Sequence, residues 1–146
     1  MQNRKLAFVL TLVVVLLSLA TLAFVTPGNS AVVGVWNGDI YGVRAVTLEL
    51  HEKGGKLNGT ILFYLIRHND GLPPRSAPGT QEPVIDPVFD GKVLTFKVSH
   101  KNAHPPQTLN DLPVSFRLEL ETSKKAYLTR GSGDEPDSSA EMVKEK

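Results

Sequence analysis

Four histidines are the side chains of this chain best suited to metal or proton chemistry. His100 and His104 have a spacing found in zinc motifs, but they fall where a predicted strand passes into a loop, so the spacing defines no shared face. His68 ends another predicted strand, two strand positions or about 10 Å away, and His51 falls at the opposite end. We therefore predict solvated loop histidines, no metal site and no cofactor.

No other set of reactive groups indicates an enzyme. Cysteine is absent, which excludes disulfides, thiolate metal ligands and a cysteine nucleophile. Glu82, Asp86 and Asp90 could supply paired carboxylates, but a turn explains Asp90 and a loop explains Glu82. No serine lies in a nucleophile motif, and no glycine pattern matches a phosphate loop. The sequence therefore predicts a protein that is not an enzyme.

Residues 1–31 are typical of a targeting segment. Arg4 and Lys5 precede residues 6–25, an apolar run long enough to cross a bilayer as a helix. Small residues before Ala31 offer a cleavage site, so this N-terminal hydrophobic helix is either a signal peptide or a retained membrane anchor. Both interpretations place the rest of the chain outside the cytoplasm: in the periplasm, secreted, or anchored to the outer face of the cytoplasmic membrane.

The charge balance of the remaining chain excludes a nucleic-acid partner. The first 30 residues hold two of the 16 basic residues and no acid, which leaves 14 basic against 15 acidic residues, a net charge of −1. Nucleic-acid binding needs a basic face, which interspersed and nearly balanced charges do not provide.

From residue 32 onward, apolar and polar residues alternate with a period of two, which predicts strands rather than helices. Turn residues divide the pattern into about eight strands, at 32–40, 43–52, 56–68, 84–89, 92–101, 113–121, 125–130 and 140–144. The loops 69–83, 101–112 and 131–139 separate some of them, and 131–146 could instead be a flexible tail. We predict an all-β domain over 32–146, an antiparallel up-and-down barrel preceded by the hydrophobic helix.

Two short motifs resemble the avidin and lipocalin group of small exported barrels, the calycin type. They are Gly34-x-Trp36 on the first strand and Gly55-Lys-Leu-Asn-Gly-Thr60 entering the third. The resemblance implies a closed barrel that binds a ligand. It does not extend to biotin, because Trp36 is the only tryptophan and Ile61 stands where the avidin pattern has tyrosine. Lipocalins also have a helical turn before their Gly-x-Trp motif, and no mature residues are expected to form one here.

In a meander, the three loops share one end of the sheet with the turn at Tyr41-Gly42, and short turns occupy the other end. Large apolar side chains favour a packed interior at the tight-turn end over a deep cavity. The predicted core residues are Trp36, Leu48, Phe96 and Phe116.

We expect any site for a small, partly hydrophobic ligand at the loop-bearing end. The candidate ligand-binding residues there are Tyr41, Arg44, His68, His100 and His104. The alternative function is a structural or protein–protein interaction domain without a small ligand. It is suggested by Ile61–Ile66, which is apolar on both faces and whose outer side a loop, a partner chain, a second copy or a membrane would cover.

Overall fold

The computed structural model describes residues 28–69, 71–99, 113–131 and 139–146. The predicted N-terminal helix, His100 and His104 lie outside these residues. The described chain forms a short 3-10 helix, Asn29–Ala31, and nine antiparallel strands. The strands are β1 Gly34–Ile40, β2 Val43–Lys53, β3 Lys56–Arg67, β4 Arg75–Pro83, β5 Ile85–Phe89, β6 Val93–Val98, β7 Val114–Leu120, β8 Lys125–Arg130 and β9 Ser139–Lys144. No helix of the described part of the chain is long and apolar enough to cross a membrane.

All nine strands belong to one sheet in the order β4-β3-β2-β1-β9-β8-β7-β6-β5. Neighbouring strands are consecutive in the chain, except that β1 also pairs with β9, with Trp36 opposite Lys144. The sheet curls into a half-barrel shape. The curl brings the rings of Phe63 on β3 and Phe116 on β7 together across the interior, with centroids 5.5 Å apart. Its two edges, β4 and β5, are separated in the chain by Val84 alone.

The inner face of the curled sheet is the hydrophobic core. Period-two alternation sends every second side chain inward, so β2 contributes Val46, Leu48 and Leu50. Trp36 is fully buried near the start of β1, and its indole N–H donates a 2.8 Å hydrogen bond to the carbonyl oxygen of Val32. All four predicted core residues are buried, and the other core members are Val32, Leu57, Ile61, Val84, Leu94, Val98, Leu118, Ala126, Leu128 and Met142.

The connections divide between two ends of the sheet. The short turns after β2, β5 and β7 lie together at the tight-turn end. The N-terminal 3-10 helix lies at the same end, because the Asn29 side chain donates a hydrogen bond to the Gly55 carbonyl in the turn after β2. The C-terminal ends of β1, β3, β6 and β8, which lead into the other connections, lie at the loop-bearing end. The parts of these connections at 70, 100–112 and 132–138 are outside the described residues.

The prediction that residues 69–83 form a loop is wrong, because Arg75–Pro83 is strand β4. Its prolines suggested a loop, since proline cannot donate a hydrogen bond to a sheet. Among the described strands β4 pairs only with β3, and an edge strand of this kind accommodates Pro78 and Pro83. The fourth predicted strand, 84–89, corresponds to β5 alone.

The N-terminal end of the described chain differs from the prediction, whereas the C-terminal end confirms one of the two predicted alternatives. Residues 29–31 form a helical turn directly before Gly34-x-Trp36, in which Asn29 and Ser30 precede the expected cleavage site at Ala31, and strand β1 begins at Gly34 rather than at 32. The amide groups of Val32 and Val33 both donate to the carbonyl oxygen of Asn29, which holds this turn. At the other end, Ser139–Lys144 forms a strand between β8 and β1, which confirms the predicted strand at 140–144 rather than the alternative of a flexible tail.

Candidate functional site

A pocket of about 340 Å³ opens on the inner face at the loop-bearing end. It is formed where β1, β3 and β8 end and where β2, β7 and β9 begin. Its lining is almost entirely apolar, and the residues are Ile40, Ala45, Val46, Phe63, Phe116, Leu128, Arg130 and Ala140. The volume lies at the lower end of the range for small-molecule sites, which are concave and mostly apolar.

Small side chains create the space. A β-bulge between β1 and β2 pairs Gly38 with Val46 and Asp39 with Arg44, which leaves Ala45 as the extra residue. Ala45 and, on β9, Ala140 both line the pocket. Since alanine fills less volume than the leucine and phenylalanine of neighbouring strands, the interior is left unfilled at this level.

Aromatic rings close the pocket from below. The Phe116 ring lies between those of Phe63 and Phe96, with centroid distances of 5.5 and 5.7 Å. Beyond them, Leu48 and Leu118 are fully buried, so the interior is packed toward the tight-turn end. The pocket is therefore a cup at one end of the sheet rather than a channel through it.

Apolar side chains at the rim remain accessible to water. Ile40 is 42% exposed and Phe63 is 37% exposed, although both are large and lie on the pocket wall. Exposing such side chains forgoes the free energy of burying them, about 25 cal/mol for each Å². A ligand with an apolar part would recover some of that free energy by covering them.

Two of the predicted site residues meet at this end. The rings of Tyr41 and His68 stack with centroids 5.1 Å apart and an interplanar angle of 23°. Tyr41 has a positive φ of 54° in its two-residue turn with Gly42, a conformation that the tight β1–β2 hairpin requires. The stack links the β1–β2 turn to the end of β3 beside the pocket, although neither residue lines it.

The structure places Arg44 at the start of β2, at the loop-bearing end, but on the outer face of the sheet and not in the pocket. Its Nε donates to the Asp39 carboxylate at 2.7 Å, and both residues line a shallow groove with Asn37 and Glu141. That groove is on the outer face of β1 and β9. His100 and His104 lie outside the described residues, and His51 pairs with Glu49 at 3.2 Å on β2, toward the tight-turn end.

Sequence reasoning missed Arg130, the only charged residue of the described pocket lining. Arg130 ends β8 opposite Phe116. Ala126 and Leu128, at the two preceding inward positions, are buried, so the period of two already indicated that Arg130 faces inward.

The shifted pKa values belong to groups remote from the pocket. Backbone hydrogen bonds from Val93 and Lys92 lower the pKa of Asp90, and hydrogen bonds from Lys92 and Arg117 lower the pKa of Glu119. Partial burial lowers the pKa of Lys144. In the described ranges, no cluster of three histidine, aspartate or glutamate residues could hold a metal ion. The pocket is thus suited to binding through apolar contact and one guanidinium group.

No protein-family model, curated protein or solved structure matches this chain. The chemistry of the pocket is therefore derived from its own residues.

Proposed function

We propose that this protein is an exported binding module that takes a small, partly hydrophobic ligand into the pocket at its loop-bearing end. The observation that carries the proposal is an apolar pocket of about 340 Å³ with water-accessible Ile40 and Phe63 on its wall. The export part rests on the sequence: Arg4 and Lys5 ahead of the apolar run 6–25.

A closed barrel would make this pocket a rigid cup, and we propose that the sheet closes. β4 runs antiparallel to β3 and β5 runs antiparallel to β6, so the two edge strands run in the same direction through Val84. The amide of Val84 donates to the Gly59 carbonyl at 2.9 Å, extending the pairing with β3 to the junction. Together β4 and β5 supply one long strand of an eight-stranded up-and-down barrel. The helical turn before Gly34-x-Trp36 also supports the resemblance to lipocalins.

Filling the pocket tests the binding function. Ala140→Phe places a ring into the pocket from β9, and Ser139→Phe places the same ring on the opposite face one residue earlier. Titration of the uncharged fluorophore N-phenylnaphthylamine into protein expressed from the full chain should show saturable binding. Ala140→Phe should weaken it about tenfold or more, whereas Ser139→Phe should leave it unchanged.

The control carries the same N-terminal segment, so any binding to residues 6–25 cancels in the comparison. Circular dichroism melting of each variant establishes that it is folded. If Ala140→Phe unfolds the protein, Ile40→Trp at the exposed rim gives a second way to fill the pocket. Absence of saturable binding in the parent protein, or equal losses in the filling and control variants, would show the proposal to be wrong.

An interaction domain is the second candidate, favoured by the hairpin of β3 and β4. β2 pairs with β3 only as far as Phe63, so beyond it β3 pairs with β4 alone. Leu65 on this extension is 60% exposed, and Leu72 in the turn is 57% exposed. Exposed apolar side chains in one place favour contact with another surface. Sedimentation of the parent and of Leu65→Ser would show whether the hairpin mediates self-association.

A further inference from the structure

From the placement of Arg130 we infer that the ligand is a small monocarboxylate, with its apolar chain in the pocket and its carboxylate on the guanidinium group. The inference rests on the proposed binding function and adds the chemical class of the ligand. It also assigns to Arg130 the role of selecting for negative charge.

The position of Arg130 suits an interaction with the polar end of a ligand. It is the last residue of β8, pairs with Phe116 on β7 and follows the buried inward residues Ala126 and Leu128. The side chain lines the pocket and is exposed, so it lies at the rim where the pocket meets water. A ligand whose apolar end reached the Phe116 ring would therefore present its other end to the guanidinium.

The carboxylates of β7, of the turn that follows it and of β9 form ion pairs with other cations. Glu119 pairs with Lys92 and Arg117, and Lys125 binds both Glu121 and Glu141 at 2.9 and 3.2 Å. Among the described residues Arg130 forms no such ion pair, and no carboxylate lines the pocket. A guanidinium next to an apolar wall and without a carboxylate favours an anionic ligand.

The chemistry of arginine favours one class of anion, the carboxylates. Its guanidinium stays charged at every physiological pH and presents two parallel N–H donors that match the two oxygens of a carboxylate. Since no second cation lines the described pocket, a ligand with two or more negative charges would leave charge uncompensated.

The volume sets the size of the ligand. A pocket of about 340 Å³ holds roughly eleven groups of the size of a water molecule, each of which takes ~30 Å³. A straight-chain acid such as decanoate has about this number of non-hydrogen atoms. Decanol has the same chain without the charge, so the pair separates the apolar contribution from the contribution of Arg130.

Competition against N-phenylnaphthylamine, with decanoate and decanol as competitors, tests the inference in protein expressed from the full chain. The parent should bind decanoate about tenfold more tightly than decanol, because a hydrogen-bonded charge pair is added. Arg130→Gln should reduce decanoate affinity to that of decanol and leave decanol and the fluorophore unaffected. Arg130→Lys should retain a preference for decanoate. Arg117→Gln, a cation on the outer face of β7, should change nothing.

The outcomes distinguish the ligand class from the pocket itself. If the fluorophore and decanol bind but decanoate is not preferred, or if Arg130→Gln leaves its preference unaltered, the inferred ligand class is wrong and the proposed pocket stands. If neither competitor nor fluorophore binds the parent, the proposed function fails first.

Discussion

The side chain of Asp90 fixes the turn between β5 and β6. Its Oδ1 accepts hydrogen bonds from the backbone amides of Lys92 and Val93 at 2.8 and 2.7 Å, and Gly91 follows with a φ of 103°. The Asp-Gly pair identified this turn from the sequence alone, because it combines a capping carboxylate with a residue that tolerates positive φ. The same hydrogen bonds, that from Val93 first, lower the pKa of the Asp90 carboxyl.

That lowered pKa predicts how stability depends on pH. A carboxyl whose pKa is lower in the folded state stabilises the fold above its unfolded value of 3.8, and the contribution is lost as pH falls through the lower folded value. Asp90→Asn keeps an acceptor oxygen but cannot ionise. Urea unfolding from pH 7 to pH 2 should therefore show parent and variant differing most near neutrality and converging below about pH 4. A difference that stayed constant over this range would contradict the assignment.

A side chain could be assigned to the site from the sequence only where the alternation showed which face of the sheet it occupies. Tyr41 and His68 were expected near the loop-bearing end and do stack there. Arg44 was expected with them, but the bulge at Ala45 changes the register, and Arg44 pairs with Asp39 on the outer face. A one-residue shift reverses the face of a strand residue, and the sequence does not show where a bulge occurs. Arg130 could have been found, because it continues the row of Ala126 and Leu128.

Among the strands, β3 requires a glycine at position 59, where a side chain would meet the backbone of β2. A Cβ atom on Gly59 would meet the Glu49 carbonyl oxygen and lie 2.9 Å from Cδ2 of Leu50, so backbone as well as side chain would have to move. Gly59 pairs directly with Leu50, and its own carbonyl accepts the Val84 amide at the junction of the sheet edges. This contact explains why glycine occupies that place in the Gly-x-Leu-x-Gly-Thr motif.

Gly59→Ala should therefore destabilise the fold. Overpacking of a close contact costs about 1–3 kcal/mol, and here the obstacle is backbone that cannot rotate away. The neighbouring Asn58→Ala, on the exposed side of β3, should change the free energy of unfolding by less than about 0.5 kcal/mol. Urea denaturation of both variants and the parent measures the two effects. Comparable values for Gly59→Ala and Asn58→Ala would mean that the two strands can separate locally at little cost.

Strand prediction succeeded where alternation was strong and failed where proline obscured it. β2, β6 and β7 alternate large apolar and polar side chains; the ends of β2 and β7 fall within one residue of the predicted spans, and those of β6 within three. β4 has the sequence Arg75-Ser-Ala-Pro-Gly-Thr-Gln-Glu-Pro83, with no large apolar residue. It is a strand because β3 offers it hydrogen-bonding groups, and such a tertiary cause leaves no local pattern in the sequence.

At the scale of the whole molecule, the sheet joins residues far apart in the chain. β1 pairs with β9, and the Asn37 side chain donates to the Glu145 carboxylate at 2.6 Å. The apolar run 6–25 lies shortly before β1, whereas β9 is near the other end of the sequence. Both ends of the folded domain must therefore be on the same side of any membrane that the apolar run enters.

The predicted side is the extracytoplasmic one. An alkaline phosphatase fused after Lys146 should be active, since this enzyme folds only after export, and the same fusion without residues 1–31 should be inactive. Intact-mass measurement of the exported protein would separate the signal peptide from the anchor, because only the anchor retains residues 1–30. Activity of a reporter that functions only in the cytoplasm would show that the proposed location is wrong.

The position of Asn29 beside Gly55 has a consequence for how a membrane-held form would acquire the proposed ligand. Residues 26 and 27 alone separate the apolar run from Gly28, so a retained helix would bring the tight-turn end down onto the lipid headgroups. β2 has 11 residues, which at ~3.4 Å each span about 37 Å, and the pocket opens near its far end. The ligand would then reach the pocket from the aqueous compartment or from a surface opposite the bilayer. It could not enter the pocket directly from the bilayer that holds the protein.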